Sequence, residues 1–202
     1  YTSTVANSVT STTITPTVDD ATAKVTVNGT SVASAQASTA ISLAPGANTI
    51  NVEVMAQDGT TTKSYTVTVT RQAASTNANL SALSLSSGSL SPTFASATTA
   101  YTSSVANSVT SIIVTPTVDE ATATITVNGT SVISGQATNA TALSVGNNTI
   151  NVVVTAEDGT TTKSYTVTVT RQAASSNANL SALSLSSGSL SPTFASATTA
   201  YT

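Results

Sequence analysis

From Thr162 to Arg171 the chain reads TKSYTVTVTR, with Tyr165, Val167 and Val169 alternating with Thr166, Thr168 and Thr170. An alternation of period two puts the apolar side chains on one face of an extended backbone, so the stretch predicts a half-buried β-strand. The same period recurs upstream. Ile150, Val152 and Val154 form one inward set, Ile125 and Val127 a second, and Ile112, Val114, Pro116 and Val118 a third. Tyr101 and Val105 lie on another strand. Leu80, Leu83 and Leu85 open the series, and the bend SGSLSPTF follows with Leu90 and Phe94. Asn128-Gly129 is a strong two-residue hairpin signal because both positions favour positive φ, and Asp158-Gly159 stops another strand. No stretch has a helical period. About seven strands in under about 100 residues, each half-buried, predict an all-β, immunoglobulin-like antiparallel β-sandwich.

Shifted by 100 residues, the chain matches itself without a gap at 80 of 100 positions, and Asn77–Thr102 returns unchanged as Asn177–Thr202. So long a period means tandem domains rather than a solenoid of small units. RQAASSNAN, from Arg171 to Asn179, has no apolar periodicity and reads as a linker. The expected organisation is a repeat lacking its first strands (1–73), a linker (74–76), a complete repeat (77–172), a second linker (173–176) and the opening strands of a next repeat (177–202).

An incomplete sandwich exposes unpaired backbone groups and apolar inner faces. The segment 177–202 has the sequence to fill that gap, with Leu180, Leu183, Leu185, Leu190 and Phe194 as strand-complementation residues. Two arrangements follow, a stretch of a longer covalent array or completion of one chain by the tail of the next. The covalent array is preferred because it needs no special ends. In either case the expected partner is self, as neighbouring repeats or head-to-tail copies.

Composition narrows the core and the chemistry. Hydrophobic residues are 39% but aromatics 3%, so Val, Ile, Leu and Ala must build the interior, while abundant Thr and Ser favour strands over helices. Charged residues are 6%, far below the usual ~25%, with a net charge of −3. That balance gives no electrostatic footprint for nucleic acid or an anionic membrane surface. No apolar run reaches the ~18 residues of a membrane span, so no membrane insertion is expected of this segment. Tyr1 is not an initiator Met followed by a basic, apolar leader; the expectation is a mature fragment whose targeting and anchoring signals lie elsewhere.

Candidate sites are few. The absence of Cys excludes disulfides and thiolate chemistry, and there is no His. Asp19 with Asp20, and Asp119 with Glu120, are adjacent, and adjacent residues on a strand face opposite ways and cannot converge as acid and base. No catalytic residue and no enzyme activity are expected. A calcium site needs about six to eight oxygens including several carboxylates, whereas the linkers hold no acid and Glu157 and Asp158 lie far from the other pair in sequence. No metal or other cofactor is expected. Lys63 and Lys163 can in principle join an Asn or Asp in an isopeptide bond, but their place on the polar side of an alternating strand reads as solvated lysine that discourages stray pairing. The aromatics fall on apolar registers or bends, which favours core or corner positions over sugar-stacking platforms.

Five motifs in this order, LSPTF from Leu90, TAYT from Thr99, VNGT from Val127, NNTINV from Asn147 and DGTTTKSYTVTVT from Asp158, resemble the cadherin-like β-sandwich domain of bacterial surface proteins. The resemblance covers nearly every residue outside the linkers. It implies the sandwich fold and an extracellular, cell-surface setting, and it supplies no catalytic residue. The expected function is a structural module of an extracellular bacterial filament, stalk or surface fibre. The alternative is an adhesin module binding a glycan or another surface ligand, which an exposed patch differing between repeats would favour. The differences do concentrate between Ala33 and Gln57, but they mostly exchange small residues and read as loop drift.

Overall fold

The computed structural model describes residues 1–199; the last three residues of the expected opening segment 177–202 lie outside the described residues. The chain divides into two compact units, Tyr1–Ala78 with Thr155–Thr161, and Asn79–Val154 with the chain from Thr162 onward. The turn Thr155–Thr161 groups with the first unit, where Glu157 Oε2 accepts the N–H of Ser75 at 2.8 Å and Asp158 donates its N–H to the Ser75 carbonyl at 3.2 Å.

The first unit contains β1 (Thr2–Val5), β2 (Ser11–Thr12), β3 (Lys24–Val27), β4 (Thr30–Val32), β5 (Ile41–Ser42), β6 (Gly46–Met55) and β7 (Thr62–Arg71). Its main sheet is ordered β1-β7-β6-β3-β4, and β2 pairs with β5 apart from it. The second unit contains β8 (Leu80–Leu85), β9 (Ala100–Val105), β10 (Ser111–Ile112), β11 (Val114–Val118), β12 (Thr124–Val127), β13 (Thr130–Val132), β14 (Thr141–Ala142), β15 (Gly146–Thr155) and β16 (Thr162–Arg171). Its main sheet is ordered β13-β12-β15-β16-β9, opposed by the pairs β8–β11 and β10–β14. The fold is all-β, two tandem immunoglobulin-like sandwich repeats.

The expected antiparallel pairing holds except at one edge of each main sheet, where β1 runs parallel to β7 and β9 parallel to β16. A parallel pair needs a long crossover connection, and here the body of the repeat provides it.

Strand burial follows the period-two reading. Along β16 the side chains of Tyr165, Val167 and Val169 are fully buried, and Ile150, Val152 and Val154 of β15 join them. At the tip of β12–β13, Asn128 and Gly129 have φ of 48° and 80°, and Val127 pairs with Thr130. That is the two-residue hairpin with positive φ at both positions that the sequence predicts. Asn28 and Gly29 repeat it in the first unit.

A candidate assembly site

The complete repeat shows what its opening segment does. β8 pairs antiparallel with β11, with Leu85 opposite Val114, Leu83 opposite Pro116 and, after a bulge, Leu80 opposite Val118. Leu80 and Leu83 are buried on the inner face of this pair, at 0% and 5% exposure. The bend that follows brings Phe94 against Tyr101 and Tyr165, at ring-centroid distances of 5.9 and 6.4 Å.

Polar bonds hold the segment at its ends. The Tyr165 hydroxyl accepts the Leu80 N–H at 3.0 Å and donates to the Ser96 carbonyl at 2.9 Å. Lys163 Nζ donates to Asn79 Oδ1 at 2.8 Å and to the Ser96 carbonyl at 2.6 Å, with its ammonium 5.3 Å from the Tyr165 ring centroid. This corrects the reading of Lys163 as solvated. Lys163 lies two residues before Tyr165 and so on the same face of β16 as the core residues, not on its polar side; its four-carbon stem runs over the Tyr165 ring and its ammonium reaches the opening segment. The Tyr101 hydroxyl lies 2.8 Å from the carbonyl oxygens of both Ala95 and Thr98.

The first unit has the same body and, among the described residues, nothing in the place of β8. Thr13–Val18, the counterpart of Ile113–Val118, is held on one side only. Ile14 N–H donates to Ser38 Oγ and Ser38 N–H to the Ile14 carbonyl, while Ala35 N–H donates to the Pro16 carbonyl. No strand forms there. Beside it opens a groove of about 560 Å³ whose apolar wall comes from Ile14, Pro16, Val18, Val54, Tyr65 and Val67. Of these, Val54, Tyr65 and Val67 are only partly buried, whereas Val154, Tyr165 and Val167 are fully buried. Tyr1 is 82% exposed against 2% for Tyr101. Core or corner placement of the aromatics holds at Tyr101 and Tyr165, which are buried.

The tail presents the complementary picture. No strand forms from 177 to 199. Leu180, Leu183 and Leu185 are 57%, 41% and 55% exposed. Leu190 and Phe194 are half-buried, lining a shallow pocket with Leu183 and Leu185 within the tail itself.

The remaining candidates have structural roles. Asp58 and Asp158 each accept two backbone N–H bonds and a threonine hydroxyl within their own turns, from Thr60 and Thr61 and from Thr160 and Thr161. These bonds, the threonine hydroxyl first, hold both carboxyls down at a pKa of about 2. Asp20 is lowered in the same way by the Thr22 N–H and hydroxyl. Among the described residues no three His, Cys, Asp or Glu gather into a metal-sized group.

Where the repeats differ most, a depression of about 370 Å³ runs along Val127–Thr141, with Ile133 76% exposed at its edge. Its lining holds no aromatic and no charged side chain.

Sequence reasoning passed over Arg71 and Arg171. Arg171 Nε donates to the Asn107 carbonyl at 2.9 Å and a terminal nitrogen to the Leu143 carbonyl at 3.0 Å; Arg71 does the same to Asn7 and Leu43. The signal available was a lone arginine ending the last strand of each repeat in a chain nearly devoid of charge.

A model of the Cadherin-like beta sandwich domain family matches residues 1–72 and 80–172. The chain belongs to that family, as two tandem domains. No curated protein matches it. Among solved structures it is similar to domains 1–6 of the surface layer protein SbsC, with 19% identity, a TM-score of 0.30, and coverage of 77% of this chain and 21% of that one. It is also similar to the human desmocollin-1 ectodomain, at 12% identity and a TM-score of 0.32, covering 85% of this chain and 40% of that one. A third is the fibronectin(III)-like modules of CbhA from Clostridium thermocellum, at 14% identity, 78% and 80% coverage, and a TM-score of 0.23. The chain thus spans about a fifth of the first of these structures and two fifths of the second.

Proposed function

We propose that this chain is a structural module of an extracellular bacterial filament, stalk or surface fibre, in which β-sandwich repeats follow one another in series. The observation that carries this reading is the serial arrangement itself. A complete repeat, assigned to 77–172, follows a body of nearly the same sequence, and the opening sequence of a third comes after it. The main sheets are built on strands of ten residues, β6, β7, β15 and β16. At ~3.3 Å per residue each spans about 33 Å, so repeats laid end to end give length at little cost in sequence.

Several of the chain's few charges are bonded within turns or to loop carbonyls, Asp58 and Asp158 in the first way and Arg71 and Arg171 in the second, which fits a load-bearing role better than a recognition surface. The depression along Val127–Thr141 offers no ring for a sugar to stack on, so the adhesin alternative gains nothing from it.

An antibody raised against the complete repeat tests this reading by immunogold electron microscopy of the producing cells. The expected result is gold along extracellular fibres or stalks. Label confined to the cell interior refutes it.

A further inference from the structure

We propose that the side chains of Lys163 and Asn79 join in an intramolecular isopeptide bond, which ties the last strand of the complete repeat covalently to its first, with Asp119 carrying the proton. The chemistry stands on the geometry of the second unit alone; only its mechanical meaning rests on the structural-module reading.

The amine and the amide already touch. Lys163 Nζ donates to Asn79 Oδ1 at 2.8 Å. Since a C=O bond is ~1.2 Å long, Asn79 Cγ lies within about 4 Å of Nζ, against the ~3–3.5 Å of reacting atoms in an attack geometry. A small rotation of the amide closes that gap. Both side chains are half-buried, and their surroundings hold them in place. The Ser96 carbonyl accepts a second bond from Nζ at 2.6 Å, and the ammonium stands 5.3 Å from the centroid of the buried Tyr165 ring. The hydroxyl of that tyrosine bonds the same Ser96 carbonyl and the N–H of Leu80, the residue after Asn79. One buried side chain therefore positions both reacting partners.

A carboxyl stands beside them. Asp119 donates its N–H to the Asn79 carbonyl at 2.9 Å, one residue past the Leu80–Val118 pair of β8 and β11. Residues opposite one another on antiparallel strands set their side chains on the same side of the sheet, with Cβ atoms about 4.5–5.5 Å apart. That places the Asp119 carboxyl within reach of the Asn79 amide. In the reaction Asp119 takes a proton from the Lys163 ammonium, and the free amine attacks Cγ. The Nζ–Cγ bond forms and the Cγ–Nδ2 bond breaks. Of the three hydrogens on Nζ one stays in the new amide, and the other two leave on Nδ2 as ammonium, one of them by way of Asp119. No oxidant or further reactant takes part.

The bond would link residues 84 apart in sequence. Tension entering the repeat ahead of Asn79 and leaving it beyond Lys163 then passes through the bond and bypasses every strand between, so a loaded repeat keeps its length.

Intact mass spectrometry of the purified, folded chain after prolonged incubation at neutral pH tests this. The expected wild-type chain is lighter by one ammonia, and Lys163→Arg and Asp119→Asn chains keep their full mass. Trypsin does not cut at an acylated lysine, so residues 72–171 should come away as one crosslinked piece in place of separate 72–163 and 164–171 peptides. A wild-type chain of full mass overturns the proposal. So does an ammonia loss that persists in Lys163→Arg, which marks a succinimide at an asparagine such as Asn128 instead. A bond that forms in Asp119→Asn as fast as in the wild type overturns the part given to Asp119. Immunogold-labelled fibres built from full-mass chains would remove the bond alone, and a crosslinked chain confined to the cell interior would remove the fibre reading instead.

Discussion

The hydroxyl of Tyr165 accepts the backbone N–H of Leu80 at 3.0 Å, and both groups are buried. One oxygen ties the first strand of the complete repeat to its last, and its own proton goes to the Ser96 carbonyl in the following bend. Tyr65, with the same neighbours in sequence, stands partly buried at the wall of the open groove.

Tyr165→Phe removes the oxygen and strands the Leu80 N–H in an apolar interior. Leaving a buried donor unsatisfied costs about 1–3 kcal/mol. The second unit should lose that much in urea unfolding, whereas Tyr65→Phe changes the first unit by a few tenths of a kcal/mol, since it breaks no comparable bond. Equal costs for both substitutions would contradict this account.

Arg171 ties two loop carbonyls, those of Asn107 and Leu143, to the end of β16. Hydrogen bonds to a charged group contribute about 1.5–3 kcal/mol each, less where water reaches them, and Arg171 is half-buried. Arg171→Leu should therefore destabilise the second unit by roughly 1–3 kcal/mol, and Arg171→Lys should recover only part of that, because a point donor does not span both carbonyls. The readout is the urea midpoint at constant m-value.

Most of the frame was legible in the sequence. Period-two runs such as Ile150–Val152–Val154 have one physical outcome in a chain without helical patterning, and Asn128-Gly129 leaves the backbone few choices of turn. The 100-residue self-match located the repeat. The parallel pairing of β9 with β16 was not legible, because no short turn fixes that register. Neither were the roles of Lys163 and Arg171, whose partners are main-chain and amide oxygens 28 to 84 residues away. Alternation says which way a side chain leaves the strand, not where a long one ends.

Ser103 and Gly88 form a second closely fitted pair. Among the described residues the buried Ser103 hydroxyl has no hydrogen-bond partner, and a Cβ built on Gly88 would run into that hydroxyl and crowd the Ser104 carbonyl. Gly88 also holds φ at +76°, where an L side chain is strained. Gly88→Ala should destabilise the second unit by about 1–3 kcal/mol. Ser103→Ala, by contrast, removes an unsatisfied polar group and should leave the unit unchanged or more stable by up to ~1 kcal/mol. Thermal unfolding of both variants checks the opposite signs, and a destabilised Ser103→Ala would show that the hydroxyl has a partner in solution.

The pH response should come from the two turn aspartates. Asp58 and Asp158 titrate at about 2 in the fold against an ordinary value of 3.8, because threonine hydroxyls and backbone N–H groups bond the ionised form. A carboxyl depressed by folding binds its proton more readily in the unfolded chain. Its contribution is therefore fully present above about pH 4 and is lost as pH falls toward 2. Both groups face solvent, so the effect is modest, and their partners are neutral, so added salt should screen it little. The urea midpoint of the wild type should fall more steeply between pH 4 and pH 2 than that of the Asp58→Asn, Asp158→Asn double variant, with the difference surviving in high salt. Parallel slopes would mean that the turns hold these carboxylates no better than the unfolded chain does, and a difference erased by salt would point to charge partners in place of the threonines.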